Sequence, residues 1–208
     1  LVRAADCADT ELVVRIPNGE PSMIRKILDT GVRNVVVPRV QNAEEVRAAV
    51  RAGRFTHNGE PGARGLSQGR TSNYGGAYTK TGDDYHQQED DSVLIGVLIE
   101  DKRAVENLDE ILAIPELGFV FPGPGDMGVS MGTPLEYDNP EVEANISTIC
   151  ESCVEKDIPL LGMYGSNFTT PEETKEAIEN GYQLVSLGND FKAVREVLSE
   201  RLSWFDKD

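Results

Sequence analysis

The 208-residue chain is long enough to bury one sizeable core but too short for two ordinary domains, and with 39% hydrophobic residues it is too apolar to be disordered. Its 36 acidic residues against 20 basic ones give a formal net charge of -16, which disfavours nucleic acid and anionic membranes as partners. Arginines outnumber lysines by 13 to 7, and such a chain suits a cytosol of high ionic strength, an ordinary acidic enzyme being the alternative.

Short β-branched runs alternate with amphipathic helical stretches, which predicts parallel strands covered by helices. We expect six strands, at Leu12–Ile16, Asn34–Val37, Val93–Ile99, Gly118–Phe121, Pro159–Gly162 and Leu184–Leu187. We expect helices at about Pro21–Thr30, from an N-cap at Asn42 to Gly53, and at Ala104–Ala113, Pro140–Lys156, Pro171–Asn180 and Phe191–Leu202. Residues 1–208 therefore form a single α/β domain, either an open doubly wound sheet or most of a barrel.

Residues 56–92 interrupt this alternation with a stretch rich in Gly, Asn, Ser, Thr and Asp and a short helix expected near Asp83–Asp90. Long loops in compact domains are commonly functional or disordered, and we predict that this one crosses the catalytic face of the barrel. It contains the two histidines of the chain, His57 and His86. Either is a candidate catalytic base, although a lone loop histidine is more often only solvated.

Charged side chains stand where several predicted strands end, and ligands of parallel α/β proteins bind beyond the carboxyl ends of the strands. Arg15 closes the first strand, Glu100 follows the third, and Asp126 comes shortly after the fourth. Two carboxylates on consecutive strands can reach one point, and Mg²⁺ and Mn²⁺ prefer oxygen ligands, whereas capping of a helix amino terminus is the alternative role for each acid. Arg15 needs an anionic partner, either a ligand carboxylate or a structural acid.

The segment PGPGDMG carries the glycine spacing of a dinucleotide fingerprint at Gly123, Gly125 and Gly128. We expect no helix to begin there, and the candidate ribose-binding acid about 20 residues on, Glu143, falls within a predicted helix and not at a strand end, so both features disfavour nucleotide binding. Exposed backbone N–H groups around Gly125 and Asp126 could instead bind a small carboxylate.

Cysteine and lysine positions exclude two further chemistries. Cys150 and Cys153 form a CxxC pattern, but they share one face of a predicted amphipathic helix, and there is no second ligand pair for zinc. The three cysteines do not form a disulfide framework, and no apolar run is long enough to span a membrane. The sequence therefore predicts a reduced, cytoplasmic protein. Lys102 and Lys192 fall at helix starts and not at strand ends, which disfavours a Schiff base.

The chain resembles one known family, the HpcH/HpaI aldolase/citrate lyase family of class II pyruvate aldolases, in its segments VVRIPN, VPRVQNAEEVRAAVRA, GARG, LIEDKRAVENLDEILAI, FVFPGPGDMGVSMG and LGND. The family includes 4-hydroxy-2-oxoheptanedioate aldolase and 2-keto-3-deoxy sugar acid aldolases. The resemblance implies a TIM (β/α)8 barrel of the phosphoenolpyruvate/pyruvate superfamily, assembled as a homohexamer with exchanged C-terminal helices. The family's first two β/α units have no counterpart here, so we expect the chain to be incomplete at its amino end, a protein without the family's usual proton shuttle being the alternative.

By this resemblance, Glu100 and Asp126 are the protein ligands of a divalent metal, Mg²⁺, Mn²⁺ or Co²⁺, which pyruvate chelates through its carboxylate and 2-oxo oxygens. Arg15 contacts the pyruvate oxygens and steadies the enolate, and backbone near Gly125 holds the pyruvate carboxylate. The implied reaction is the reversible cleavage of 4-hydroxy-2-oxo acids to pyruvate and an aldehyde. Leu98 stands where the family usually has Gln, and no Glu-His pair in the chain matches the family's catalytic histidine.

Two alternatives to a metal-dependent aldolase stay open on the sequence. One is an acyl-CoA thioester lyase of the citrate lyase beta or malyl-CoA lyase type, which needs basic contacts to CoA phosphates that this acidic chain offers sparsely. The other is a non-catalytic barrel subunit, against which the joint presence of Arg15, Glu100 and Asp126 at strand ends argues.

Overall fold

The structure, a computed structural model, describes residues 1–56, 59, 61–81, 84–134, 136, 139–162 and 170–205. Its strands are β1 (Val13–Arg15), β2 (Asn34–Val37), β3 (Leu94–Ile99), β4 (Phe119–Pro122), β5 (Leu160–Gly162) and β6 (Tyr182–Val185). The helices in this part of the chain are α1 (Val2–Cys7), α2 (Pro21–Asp29), α3 (Ala43–Ala52), α4 (Gly76–Thr81), α5 (Asp84–Asp91), α6 (Lys102–Glu106), α7 (Leu108–Leu112), α8 (Pro124–Met131), α9 (Pro140–Glu155), α10 (Pro171–Glu179) and α11 (Asp190–Ser203). None of these helices has the length and apolar character needed to span a membrane.

The six strands form one curled, all-parallel sheet, a half-barrel in which each strand pairs with its neighbours in the chain. The order runs from β1 to β6 without a reversal. A doubly wound sheet would reverse its strand order at a switch point, so the six described strands follow the winding of a barrel. The α/β class is thereby confirmed, whereas a complete eight-stranded barrel stays a prediction.

Alternate residues of the strands pack on opposite faces of the sheet, as the two-residue period of a strand requires. The outer face carries the main hydrophobic core under the helices, with Val35, Val97 and Val120 each at most 1% exposed. The inner face carries a smaller cluster around Leu98 and Phe119. The side chains of the inner face therefore line the space that the curled sheet partly encloses.

Helix α3 illustrates how closely local sequence signals match the structure. The Asn42 side chain accepts a hydrogen bond from the Glu45 N–H at 3.0 Å, which is the expected N-cap. Val46 and Ala49, at helical spacing, are fully buried on one face of the helix. The helix then stops at Gly53, as predicted.

The described part of residues 56–92 packs at the amino ends of the strands, where a connection from a helix to the next strand begins. Arg33, which precedes β2, binds both carboxylate oxygens of Glu89 at 2.6 and 2.8 Å. Arg64 Nη2 donates to the same carboxylate at 2.8 Å, and Arg54 donates to the carbonyl of Val93, just before β3, at 2.9 Å. The expected position of this segment on the catalytic face is therefore wrong for its described residues.

Three further expectations need correction. A helix, α8, does begin in PGPGDMG, because Pro124 fixes the backbone of its first residue and Met127 is fully buried. The helix expected at Ala104–Ala113 is two short helices that meet at Asn107, whose side chain donates to the carbonyl of Gln41 at 2.9 Å. The last strand begins two residues earlier than predicted, at the buried Tyr182.

Helix α11 lies outside the core, since none of its residues is buried. Its apolar side chains are instead largely exposed, with Phe191 at 76% and Leu202 at 67%. An amphipathic helix with a solvated apolar face is uncommon in a complete assembly.

Candidate active site

Glu100 lies at the carboxyl end of β3, where it continues the inner face of that strand beyond Gly96 and Leu98. It is 4% exposed, which is rare for a carboxylate. Its Oε1 accepts a hydrogen bond from the backbone N–H of Arg39 at 3.0 Å. Arg39 follows β2, so two neighbouring strand ends meet at this carboxylate.

Asp126 lies in the first turn of α8, directly after β4. Its carboxyl group is within hydrogen-bonding reach of Glu100, to which it contributes both a hydrogen bond and a repulsive charge. The two acids predicted from strand ends are therefore brought together. A carboxylate in a first helical turn is also favoured by the helix dipole, but here it points to another acid as well.

Burial raises the pKa of Glu100 to about 7, with the hydrogen bond and the negative charge of Asp126 adding to the effect. The Arg39 N–H and the positive charge of Arg15 act in the opposite direction. Neighbouring groups therefore shift the pKa of Glu100 in opposite directions, and strongly shifted carboxyl pKa values are typical of functional sites.

Arg15 ends β1, and its side chain is exposed on the inner side of the sheet. Its positive charge lowers the pKa of Glu100, so the Arg15 side chain faces the same space as the two acids. No acidic side chain in the described part of the chain forms an ion pair with it. The guanidinium is therefore available for a ligand, and the structural ion pair considered as its alternative is absent among those residues.

Two glycines of PGPGDMG shape the site. A Cβ at Gly123 would lie 2.7 Å from the Glu100 Cβ and 3.1 Å from Leu98 Cδ1, so only glycine permits this close approach of the two strand ends. Gly125 is the second residue of α8, and N–H groups in a first helical turn lack partners within the helix. The N–H groups of Gly125 and Asp126 can therefore bind an anion at the amino terminus of α8, next to the two acids.

The two carboxylates suit a hard divalent cation. Their ligand atoms are all oxygen, the set that Mg²⁺ and Mn²⁺ prefer. Burial is the main cause of the raised pKa of Glu100, and a cation between Glu100 and Asp126 would offset the repulsion by Asp126 that adds to it. The described residues contain no group of three or more His, Cys, Asp or Glu side chains that could hold a metal. A cation here would take its remaining ligands from water and substrate, as Mg²⁺ commonly does.

The other candidate groups lie elsewhere. The His86 ring packs at a tilt of 41° against Phe55, with ring centroids 4.6 Å apart, among the residues at the amino ends of the strands, whereas His57 lies outside the described residues. Cys153 is fully buried in the main core, and burial raises the pKa of its thiol to about 12. The Sγ of Cys150 lies 3.5 Å from the Tyr182 hydroxyl, so this CxxC pair packs in the protein interior.

A family model for the HpcH/HpaI aldolase/citrate lyase family matches residues 1–196 of the chain. The chain belongs to this family. It is 33% identical over 202 residues to the 2-dehydro-3,6-dideoxy-6-sulfogluconate aldolase of Pseudomonas putida. The aligned region covers 97% of this chain and 75% of that protein. It is 32% identical over 193 residues to the 2-keto-3-deoxy-L-rhamnonate aldolase of Salmonella gallinarum, or 93% of this chain and 68% of that one.

Among solved structures, a member of the same family from Burkholderia cenocepacia superposes with a TM-score of 0.83 at 27% identity, over 95% of this chain and 77% of that one. This family member thus shares its fold with a solved relative over almost its whole length. The resemblance inferred from the sequence segments is confirmed.

Sequence reasoning missed two residues of the site. Arg39 contributes its backbone N–H to Glu100, and nothing in its side chain signals such a contact. In the sequence Gly123 stands out only as part of a nucleotide-like spacing, whereas in the structure it leaves room for the Glu100 side chain. The signal for Gly123 was its position directly after a strand whose neighbour ends in a carboxylate.

Proposed function

We propose that this family member is a divalent-metal-dependent aldolase that reversibly cleaves 4-hydroxy-2-oxo acids to pyruvate and an aldehyde. The observation that carries the proposal is the meeting of Glu100 and Asp126 within reach of Arg15's charge at the carboxyl ends of the strands. Relatives named as aldolases of 2-keto-3-deoxy sugar acids support the same reaction class. We infer a substrate of this class, an acid with a 2-oxo group and a hydroxyl on C4.

In the reaction, the bond between C3 and C4 breaks as the C4 hydroxyl loses its proton and C4 becomes the carbonyl carbon of the aldehyde. The electron pair of the broken bond passes toward the 2-oxo oxygen, and C3 later takes a proton to become the methyl group of pyruvate. The protein must therefore stabilise negative charge that develops on the 2-oxo oxygen. It must also bind the acid so that this oxygen faces the positive groups of the site.

Glu100 and Asp126 would hold the cation, Mg²⁺, Mn²⁺ or Co²⁺. When bound, such a cation supplies Lewis-acid stabilisation of the developing charge. The two carboxylates fix its position, since one is buried at a strand end and the other stands in a helical turn anchored by the buried Met127.

Arg15 and the first turn of α8 would bind the acid itself. A guanidinium offers planar, paired donors to oxygens and keeps its charge at all relevant pH values, so Arg15 would stabilise the 2-oxo oxygen as it becomes negative. The N–H groups near Gly125 would hold the carboxylate on the other side of the ligand. The two contacts together orient the C3–C4 bond within the site.

A direct test measures pyruvate release from a 4-hydroxy-2-oxo acid in the presence of Mn²⁺. We expect release that stops with EDTA and falls at least about a hundredfold in Glu100→Ala. Glu110→Ala, which alters an exposed acid of α7, is the control and should keep full activity. Activity that survives EDTA or the loss of Glu100 would refute the metal-dependent mechanism, and cleavage of an acyl-CoA thioester in its place would favour the lyase alternative.

We also propose that the protein is a homo-oligomer, with the hexamer of its family as the expected state. The support is helix α11, whose apolar side chains have no buried position in a single chain. Burial of that face against a second copy would remove about 25 cal/mol of unfavourable hydration for each Å² covered. Sedimentation analysis of the parent and of Leu202→Glu tests it, and a parent that stays monomeric would refute it.

A further inference from the structure

The turn that follows β2 adopts a backbone conformation that its sequence does not favour. Arg39 has a φ of 57°, in the left-handed region that side chains other than glycine, asparagine and aspartate seldom adopt. Neither Pro38 before it nor Val40 after it offers a glycine that could take this conformation instead. A non-glycine residue held there marks a position where the surrounding structure requires the strain.

The flanking contacts explain how the strain is maintained. Val37 and Val40 are both buried in the main core, at 1% and 2% exposure, so the chain must reverse within the two residues between them. Gln41 is then fixed by its side chain, which donates to Asp101 Oδ2 at 2.9 Å, and by its carbonyl, which accepts from Asn107. The turn is thereby bound on its carboxyl-terminal side to the segment that follows Glu100.

The consequence of the left-handed turn is the direction of one N–H group. The Arg39 N–H donates to Glu100 Oε1 at 3.0 Å, whereas the Arg39 side chain is exposed. Within the described residues no other N–H group bonds to this carboxylate, so the Arg39 N–H fixes Oε1, and the carboxyl group of Asp126 is the other hydrogen-bonding neighbour of Glu100. This N–H lies in the peptide plane between Pro38 and Arg39. Because Val37 and Val40 are both anchored in the core, a negative φ at Arg39 would require that plane to rotate, which turns the N–H away from Glu100.

We infer that Arg39 is a positioning residue of the site: its left-handed backbone fixes the Glu100 carboxylate in the orientation that binds the cation. The inference rests on the proposed function, because it assigns the contact a role in cation binding. It assigns no role to the charge of the Arg39 side chain. Groups that orient a metal ligand in this way commonly contribute tenfold to a hundredfold to metal affinity.

Substitutions that differ in their tolerance of a positive φ distinguish the effect of the Arg39 backbone conformation on Mn²⁺ affinity from the effect of its side chain. Arg39→Gly, Arg39→Ala and Arg39→Val all remove the charge, but glycine accepts the left-handed region freely, alanine less so, and β-branched valine least. Asp157→Val is the matched control, since Asp157 has a φ of 56° in the turn after α9. The readouts are the affinity for Mn²⁺ alone, by calorimetric titration of the full chain, and the unfolding temperature.

We expect Arg39→Gly to bind Mn²⁺ within about twofold of the parent, Arg39→Val to bind about tenfold or more weakly, and Arg39→Ala to lie between them. Asp157→Val should lower the unfolding temperature and leave the Mn²⁺ affinity unchanged. Should Arg39→Val not fold, the comparison of alanine with glycine decides by the same order.

Two results would overturn the inference while leaving the proposed function intact. One is folded Arg39→Val or Arg39→Ala with the affinity of the parent, and the other is Arg39→Gly that loses as much affinity as Arg39→Val, which would assign the effect to the side chain. A parent that does not bind Mn²⁺ would overturn the inference and the cation site together. A parent that binds Mn²⁺ but releases no pyruvate would refute the proposed reaction alone.

Discussion

The carboxyl groups of Glu100 and Asp126 lie within hydrogen-bonding reach of each other although they belong to successive β/α units. Burial and the neighbouring acid both make the ionised form of Glu100 unfavourable, so a chain without a cation carries two acids that repel each other. Such an arrangement lowers stability and is retained where function needs it.

The affinity of the protein for Mn²⁺ should fall as the pH is lowered through about 7. The pKa of Glu100 is raised to about 7, so below that pH a proton competes with the cation for the carboxylate, and the affinity should decrease about tenfold per pH unit. Titration calorimetry at about pH 6 and about pH 8 measures the difference. Equal affinities at the two pH values would contradict the assignment of Glu100 as a ligand.

Glu100→Gln should stabilise the protein in the absence of metal above pH 7. The folded pKa of Glu100 lies above its ordinary value of 4.5, so the folded state binds the extra proton and loses stability as the pH rises from that value to about 7. Glutamine keeps the acceptor for the Arg39 N–H and removes the charge. Thermal unfolding in EDTA should show a rise of about 3 °C or more at pH 8 and little change at pH 4, whereas Mn²⁺ should no longer stabilise the variant.

Gly123→Ala should weaken Mn²⁺ binding and slow catalysis by about tenfold or more, because the added methyl group lies 2.7 Å from the Glu100 Cβ and must displace that side chain. Gly65→Ala is the control, since a Cβ there meets no atom within 4 Å. Mn²⁺ titration and pyruvate release measure both variants. Unaltered Mn²⁺ affinity in Gly123→Ala would show that the close approach has no bearing on the cation site.

Arg15→Lys should raise the KM for the 4-hydroxy-2-oxo acid and lower kcat, each by about tenfold or more, because lysine keeps the charge but loses the planar pair of donors. Arg47→Lys, on the exposed side of α3, should leave both constants unchanged. Steady-state kinetics at saturating Mn²⁺ separate the two effects. An Arg15→Lys enzyme with the kinetic constants of the parent would remove Arg15 from the proposed site.

Glu89→Ala should destabilise the protein by about 3–5 kcal/mol, because it leaves the guanidinium groups of Arg33 and Arg64 without their shared carboxylate. Arg64 depends strongly on this carboxylate, since its Nε and Nη1 are buried and have no hydrogen-bond partner among the residues that the structure describes. Glu179→Ala removes only an exposed partner of Lys175 and should change stability little. Denaturant unfolding compares the two, and an equal effect would show that the buried ion cluster does not stabilise the fold.

The positions of most strands and helices could be predicted because their signals are local. Strand β2 has the predicted limits, bounded by Asn34 and by Pro38, which cannot donate to a sheet. Helix α8 was missed because glycine and proline are poor helix formers, and its stability comes from the buried Met127, a tertiary contact. Strand β6 begins at Tyr182, before the predicted start at Leu184, because the Tyr182 side chain is buried in the core, a tertiary contact that the local pattern does not contain.

The meeting of Glu100 and Asp126 could be predicted from topology, since adjacent parallel strands end at the same edge of the sheet. The contribution of Arg39 could not, because a left-handed turn in a sequence without glycine depends on how Val37 and Val40 are anchored in the core. The end of the strands at which the described residues of 56–92 lie differs from the prediction for another reason. A connection from α3 to β3 begins where a helix ends, and so it belongs to the amino ends of the strands.

The Arg33–Glu89–Arg64 cluster lies at the amino ends of the strands, away from the segments that carry Arg39, Glu100 and Asp126. Loops at the carboxyl ends that do not carry these residues can change in length or sequence without disturbing that cluster. Substitutions in those loops could thus change the substrate preference while the cluster at the amino ends of the strands keeps the fold stable.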